Sequence, residues 1–482
     1  MKGVKLSIDK FNSYREIDET YVDEQLHKEI ELNKKKIVVL DDDPTGVQTV
    51  HDVFVYTHWD KESILDAFSN KDPLFYIMTN TRGMTREETT AVQNEIADIV
   101  DEVSKEKNIP YLFVSRSDST LRGHYPLETE ILKAKFEEHQ HLKIDGEILC
   151  PFFKEGGRFT IDDVHYVKYG DELIPANETE FARDKTFGYT ATTMPRYVEE
   201  KTAGRYKEED VICISLEDIH NMDFDKIEQQ LLEVHSFNKV VVNAIDYPDI
   251  KVFCVAMYRA MRKGKNFMFR TAASIVKVMG GITDQPLLKR NQMIISDNKN
   301  GGIIVVGSHT EMTTRQVDEL RNIQSIQFIE LDVSLVNDEN AFNYEIKRCL
   351  EEEEKSIKKG QTVCCYTTRN LITTNTGDKE DELRLSVKIS DAVQSLVGNL
   401  SVIPAFVIAK GGITSSDIGT KALKVRKANV LGQIQPGIPV WQTEATSKFF
   451  KTPYVIFPGN TGTDKTLRKA VEILLGISGE LM

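Results

Sequence analysis

The stretch KKKIVVLDDDPTG, residues 34–46, decides the fold class. Ile37, Val38, Val39 and Leu40 run without polar alternation, which describes a strand buried on both faces. The strand runs into three carboxylates, Asp41, Asp42 and Asp43, and Pro44-Thr45-Gly46 then turns the chain. Working outward, the same order of apolar strand, polar glycine-containing turn and helix-period segment recurs. DVFVYT (52–57), LFYIMTN (74–80) and YLFVSR (111–116) read as strands, and residues 85–106 as an amphipathic helix. VICISL (211–216), KVVVNA (239–244) and NFMFRT (266–271) continue the series. A polar stretch at 287–302 interrupts it. The pattern restarts with IIVVGS (303–308) and a helix over 310–323 that opens on Thr310 and Glu311. QFIEL, TVCCYTT and AFVIAKGG carry it towards the end of the chain. The expected fold is α/β in two lobes, residues 1–290 and 300–482, each a mostly parallel sheet covered by helices.

Composition narrows the function. With 40% hydrophobic and 28% charged residues over 482 positions, the chain has the make-up of a folded protein rather than a disordered one. Sixty-one Lys and Arg against 75 Asp and Glu give a net charge of −14, which leaves no electrostatic footprint for nucleic acid or a membrane surface. An anionic ligand must then be held locally, by arginines, backbone amides or a metal ion. The six cysteines form no CxxC pair and mostly sit in apolar runs, as reduced core thiols do. No stretch is apolar enough for a membrane span, and the first residues lack the apolar core of a signal peptide. A cytoplasmic location is expected.

In open α/β sheets ligands bind beyond the carboxyl ends of strands, so the segment after each strand matters most. In the first lobe these segments are Asp41-Asp42-Asp43-Pro44-Thr45-Gly46, Thr79-Asn80-Thr81-Arg82-Gly83 and Ser117-Asp118-Ser119-Thr120-Leu121-Arg122-Gly123. Each alone reads equally well as a solvated turn. Three together, rich in hydroxyls, carboxylates and arginines, suit a polyhydroxy carboxylate. The second lobe carries Gly307-Ser308-His309-Thr310, Lys410-Gly411-Gly412-Ile413-Thr414 and Pro458-Gly459-Asn460-Thr461-Gly462, small residues ahead of helices, where backbone amides can approach phosphate. Gly459 to Thr466 misses the P-loop pattern because Asp464 stands where glycine is required. No GxGxxG follows any expected strand, which argues against a dinucleotide oxidoreductase. His139, His141, Cys364, Cys365 and Trp441 read as solvated or core residues, and no clustered Cys/His metal set is present.

Taken in order, Asp42-Asp43-Pro44-Thr45-Gly46, Asn80-Thr81-Arg82, Asp118 to Gly123, Gly411 to Ser415, Gln435-Pro436-Gly437-Ile438-Pro439 and Pro458 to Gly462 resemble the motifs of the four-carbon acid sugar kinases. The resemblance runs over nearly the whole chain from about residue 36. It implies a sugar-acid lobe, a nucleotide lobe and an active site in the cleft between them. It also implies ATP- and Mg²⁺-dependent phosphorylation of the terminal hydroxyl of a tetronate or 3-oxo-tetronate. On this reading Asp42, Asp43 and Asp118 are catalytic candidates, and Arg82, Ser119, Arg122 and Gly123 bind substrate. Ser308, Gly411, Gly412, Ile413, Thr414, Gly459 and Asn460 line the nucleotide loops, with no metal ligand singled out. Arg82 or Arg122 is expected to hold the substrate carboxylate, and Asp42 or Asp118 to accept the hydroxyl proton. The partner is a small sugar acid, and a homo-oligomer is allowed.

The chain departs from the family pattern in places. Pro44 replaces a common leucine, and Ile413 stands where a glutamate is common. Residues 151–207 form an expanded segment whose start, PFFKEGGRFTIDDVHYV (151–167), is read as able to fold over the substrate. Ile413 keeps open a second reading, a sugar-acid-binding or regulatory protein that retains the fold without catalysis.

Overall fold

The computed structural model describes residues 4–294, 298–369, 379–459 and 461–477. The chain divides into two compact units, one of Met1–Thr49 with His58–Asp284, the other of Val50–Thr57 with Gln285–Met482. The strand DVFVYT, early in the sequence, therefore belongs to the second unit, where Val53–Tyr56 pairs antiparallel with Lys427–Gln435. Nothing in the chain order signals this excursion.

In the first unit, described strands pair in parallel in the order Ile212–Ile214, Asn238–Val242, Gly146–Cys150, Phe267–Thr271, Tyr111–Arg116, Lys36–Asp41, Leu74–Met78. Ile37 to Leu40 are buried throughout, as two-sided coverage by helices requires. Helix Arg86–Lys107 begins with a reciprocal capping box between Thr85 and Glu88 and ends on Asn108 in a left-handed conformation. Strand Lys36–Asp41 sits mid-sheet, with Leu74–Met78 on one flank and Tyr111–Arg116 on the other. From Lys36–Asp41 the next first-unit strand is Leu74–Met78 on one side, and from its neighbour Tyr111–Arg116 it is Gly146–Cys150 on the other, so the carboxyl ends of these two adjacent strands form a topological switch point. Segment 151–207 departs from the parallel pattern. Its strands Arg158–Ile161, Val164–Tyr169 and Glu172–Pro175 form a small antiparallel sheet with Leu6–Ser7.

The second unit has a parallel core in the order Pro453–Phe457, Val407–Lys410, Ile303–Val306, Thr362–Thr367, Ile326–Leu331. Ile438–Thr443 joins it antiparallel on Pro453–Phe457, and Lys427–Gln435 pairs with Ile438–Thr443. Helices Glu311–Leu320 and Thr466–Leu475 close over a core that includes Val306, Ile408, Phe457 and Leu467. Trp441 is a buried core residue, and Cys364 and Cys365 are both buried in strand Thr362–Thr367. Among the described residues no helix is long and apolar enough to cross a membrane.

Candidate functional site

The switch point gathers the three polar loops of the first unit. Asp41 ends its strand buried against Arg116, with Nη1 3.1 Å from Oδ1. Burial, partly offset by Arg116, pushes its carboxyl up to about 7. Gly46 closes the turn so tightly that a Cβ there would collide with the Asp41 carboxylate. That clash is a physical reason for glycine at the end of the DDDPTG run.

Asp42, Asp43 and Asp118 converge on Arg82. Its Nε donates to Asp42 Oδ2 at 3.2 Å and its Nη1 to Asp43 Oδ2 at 3.0 Å. A further donation runs from Nη2 to Asp42 Oδ1, and Asp118 Oδ1 lies 3.8 Å from Nη1. Arg82 is aimed by a short 3₁₀ turn, Thr81–Gly83, that follows Asn80 in a left-handed conformation at φ 59°. Arg122 forms a two-toothed pair with Asp118, Nε to Oδ2 at 2.8 Å and Nη2 to Oδ1 at 3.2 Å. Burial raises the Asp118 carboxyl, but the two arginines outweigh it and hold the group well below the usual carboxylate range. Asp43 follows the same balance more weakly: burial pushes up, and Arg82 with two donations from Thr45 brings it below its ordinary value.

The loop carrying Asp118 is clamped from several sides. Ser117 Oγ donates to Asp42 Oδ2 at 2.5 Å. Gly123 has φ 111°, and a Cβ there would press on Arg270 Nη2, Ser117 Oγ and Asp42 Oδ2, so Gly123 allows the loop to close on the carboxylate. The Ser119 carbonyl accepts from His165 Nε2 at 2.7 Å. Tyr189 and Tyr197 donate to the carbonyls of Thr120 and Leu121 at 3.0 and 2.8 Å. His165, Tyr189 and Tyr197 all come from segment 151–207. Burial lowers the His165 imidazole to about 4, so it is neutral at physiological pH. The segment thus braces the Asp118 loop. Arg270, which was not among the expected site residues, reaches the same place from strand Phe267–Thr271. It pairs with Glu128 at 2.9 Å and donates to the Arg122 carbonyl at 3.0 Å. Its signal in the sequence is an arginine inside an apolar strand, which needs a buried partner.

In the second unit the loops after Ile303–Val306, Val407–Lys410 and Pro453–Phe457 lie at the ends of adjacent parallel strands. Hydroxyls and carbonyls knit them. Thr310 caps helix Glu311–Leu320, Thr313 Oγ1 lies 3.1 Å from Ser308 Oγ, and the Gly459 carbonyl accepts from Thr313 Oγ1 at 3.2 Å. Side chains have little room: a Cβ at Gly307 would collide with Thr414 Oγ1, and one at Gly411, whose φ is 126°, would sit 3.1 Å from Ser308 Cβ. Gly412 faces open space, and Ile413 beside it is 74% exposed. Asn460 lies outside the described residues. Asp464 pairs with Arg315 at 2.9 Å, consistent with the absence of a P-loop.

Lys410 and Arg369 also lie outside the expected set. Fully buried, Lys410 Nζ donates to the carbonyls of Pro458 and Gly459 at 2.5 and 3.0 Å, and burial lowers its ammonium to about 7. Arg369 Nη1 donates to the Ser308 carbonyl and Nη2 to Thr314 Oγ1, each at 2.7 Å. A lysine as the last residue of an apolar strand is the available signal for the first. Among the described residues no group of three or more His, Cys, Asp or Glu is arranged to hold a metal ion.

Comparison with known proteins fits this division. Residues 37–279 match the family model for a sugar-binding N-terminal domain, and residues 303–467 that for a nucleotide-binding C-terminal domain. The chain belongs to the four-carbon acid sugar kinase family. Among solved structures, a Salmonella typhimurium LT2 protein described as a candidate tRNA synthase is 14% identical, with 90% of this chain and 98% of that chain covered and a TM-score of 0.62. A Haemophilus influenzae protein of the family DUF1537 is 16% identical, with 91% and 100% covered and a TM-score of 0.59. At these identities the likeness is one of fold. Among curated proteins none matches.

Proposed function

We propose that this family member transfers the γ-phosphoryl group of ATP to the terminal hydroxyl of a four-carbon sugar acid, a tetronate, 3-oxo-tetronate or close analogue. The observation that carries the reading is the division of chemistry: carboxylates and arginines at the switch point of the sugar-binding unit, small residues and helix starts at the strand ends of the nucleotide-binding unit. The second set suits ATP because Cβ atoms are excluded at Gly307 and Gly411 while Gly412 stays open, so backbone groups can approach phosphate. Ser308, Gly411, Gly412, Thr414 and Gly459 would hold the nucleotide, and Mg²⁺ would enter on its phosphates. When bound, ATP supplies the phosphoryl group and Mg²⁺ offsets its charge.

The protein's own task is positioning and proton transfer. Asp42 is our assignment for the group that takes the proton of the attacking hydroxyl, because the three loops meet on it through Arg82, Ser117 and the close approach of Gly123. Asp118 is held ionised by Arg82 and Arg122 and serves to orient both. A coupled ADP-release assay with Mg²⁺-ATP and a panel of four- and five-carbon sugar acids tests the reading, and turnover with one acid is the expected result. Ile413, exposed in the nucleotide loop where the family pattern commonly has a glutamate, is the feature that favours the competing non-catalytic reading. That reading wins if no acid is turned over and ATP·Mg²⁺ gives no thermal stabilisation.

A further inference from the structure

A sugar acid brings a carboxylate into a site already crowded with carboxylates, so its recognition needs a cation not already committed. The arginines around the switch point are nearly all spoken for. Arg82 serves Asp42, Asp43 and Asp118, and Arg122 serves Asp118, with Asp184 at 4.0 Å. Arg116 is paired with Asp41 and Arg270 with Glu128. Arg158 differs. Among the described residues it forms no ion pair, its Nε is buried without a hydrogen-bond partner, and its Nη1 donates only to the nearby carbonyl of Gly156.

Its placement is nevertheless fixed. Arg158 opens strand Arg158–Ile161, and its backbone exchanges hydrogen bonds with Phe153, N to O at 2.9 Å and 3.1 Å in return. The guanidinium lies 5.3 Å from the centroid of the Phe181 ring, and the Arg122 guanidinium lies 5.2 Å from the same centroid. Phe181 thus joins the unpaired arginine to the Arg122–Asp118 pair of the switch-point site, and the charge of Asp118 reaches Arg158. Glu180 also acts on Arg158 through space, yet no carboxylate comes within ion-pair distance of it among the described residues, and a half-buried guanidinium so placed is costly unless a ligand supplies the paired charge.

Resting on the kinase reading, we infer that Arg158 is the carboxylate-recognition residue of the substrate site and sets the preference for a sugar acid over the matching uncharged polyol. Arg82 and Arg122, the candidates from sequence, then act mainly on the protein's own aspartates. The expanded segment 151–207 supplies a recognition group as well as a brace for the Asp118 loop.

The test compares wild type with Arg158→Met and Arg158→Lys. D-erythronate and D-threonate serve as acids, and erythritol and threitol as uncharged counterparts. Binding is followed by calorimetry and turnover by ADP release. Arg158→Met is expected to weaken acid binding on the order of 10- to 100-fold, as loss of a charge-assisted fork does. Polyol binding and KM for ATP should stay unchanged, so the acid preference collapses. Arg158→Lys should restore part of it, keeping the charge without the fork, and it decides the matter if Arg158→Met fails to fold. Acid affinity unchanged in both variants, or acid and polyol affinity falling together, overturns the inference while leaving the kinase reading intact. Arg158-dependent acid binding with no ATP-dependent turnover in wild type overturns the kinase reading and keeps the inference. Wild type that binds no acid of the four- and five-carbon panel and is not stabilised by Mg²⁺-ATP overturns both.

Discussion

The two sets of loops solve one problem by opposite means. In the sugar-binding unit, loops are locked by charged side chains: three aspartates share Arg82, and Arg122 grips one of them. In the nucleotide-binding unit, loops are locked by hydroxyls and carbonyls around glycines, with the buried Lys410 amine donating to two of those carbonyls. The difference reflects the ligands each set suits. A small polyhydroxy acid offers few handles and demands directional, charged partners. Phosphate groups are recognised well by backbone amides, provided no side chain stands in the way. Substitutions in the first unit should therefore act through electrostatics and be large. Those in the second should act through shape and be graded.

The most damaging single change should be Arg82→Ala. It leaves Asp42, Asp43 and Asp118 without their shared cation, and breaking a buried pair on one side typically costs about 3–5 kcal/mol. Thermal unfolding should show the sugar-binding unit melting earlier while the nucleotide-binding unit holds, with no detectable phosphorylation. A uniform shift of both transitions would erase the contrast between the units. Asp42→Asn comes next. It keeps the size of the side chain but sets an amide NH₂ against a donor of Arg82 or Ser117 and removes a buried charge partner, so stability should fall by about 1–3 kcal/mol, less than in Arg82→Ala. At the same time kcat should fall by roughly 10²–10⁴-fold, the usual contribution of a general base. An unchanged kcat would move the proton-accepting role to Asp118 or Asp43.

Gly411→Ala sharpens the other side. At φ 126° an alanine is strained, and its Cβ would press on Ser308 Cβ at 3.1 Å. Strain of this kind costs about 1–3 kcal/mol. KM for ATP should therefore rise by roughly 10-fold or more, with affinity for the acid unaltered. Acid affinity falling in step with ATP affinity would show that the two ligand sets are not separable.

The sequence was most legible where local chemistry and global topology agree. Ile37 to Leu40 are buried on both sides as their apolar run demands, and the Asp-rich turn after them stands at the switch point. Asp42, Arg82, Asp118 and Arg122 come together, because polar loops after neighbouring parallel strands must share one edge of the sheet. Chain order could not show long-range pairing. Val53–Tyr56 sits in sequence among first-unit strands, yet its hydrogen bonds go to Lys427–Gln435. Arg270, Lys410 and Arg158 were hidden for a related reason. Each looks like an isolated cation in an apolar or turn segment, and only the fold reveals whether it has a carboxylate, two carbonyls or no counter-ion.

Lys410 gives the subtlest test of the comparison, because here the nucleotide-binding unit itself hides a titrating cation. Burial brings its ammonium to about 7, against an ordinary value of 10.5. Between those values the unfolded chain holds a proton that the folded chain has released, so the unfolded state binds more protons and stability falls as pH drops. The sign is that of a lowered amine: the neutral form is the one that folding favours, and its cost is least above 10.5 and greatest below about 7. From pH 7 to 9 the transition of the nucleotide-binding unit should therefore change in wild type by on the order of 1–2 kcal/mol. The slope equals the protons bound unfolded minus those bound folded, which is positive here, so the change is a strengthening with rising pH. Lys410→Met removes the titrating group and should flatten that rise. It also removes the two hydrogen bonds to Pro458 and Gly459, so the variant should be less stable than wild type at pH 9, and the gap should narrow towards pH 7. The sugar-binding unit serves as the internal control, since the change leaves its transition as it is in wild type at each pH. A variant that keeps the wild-type slope would show that Lys410 stays charged when folded. The nucleotide-binding loops would then be locked by a charged side chain, as the sugar-binding loops are.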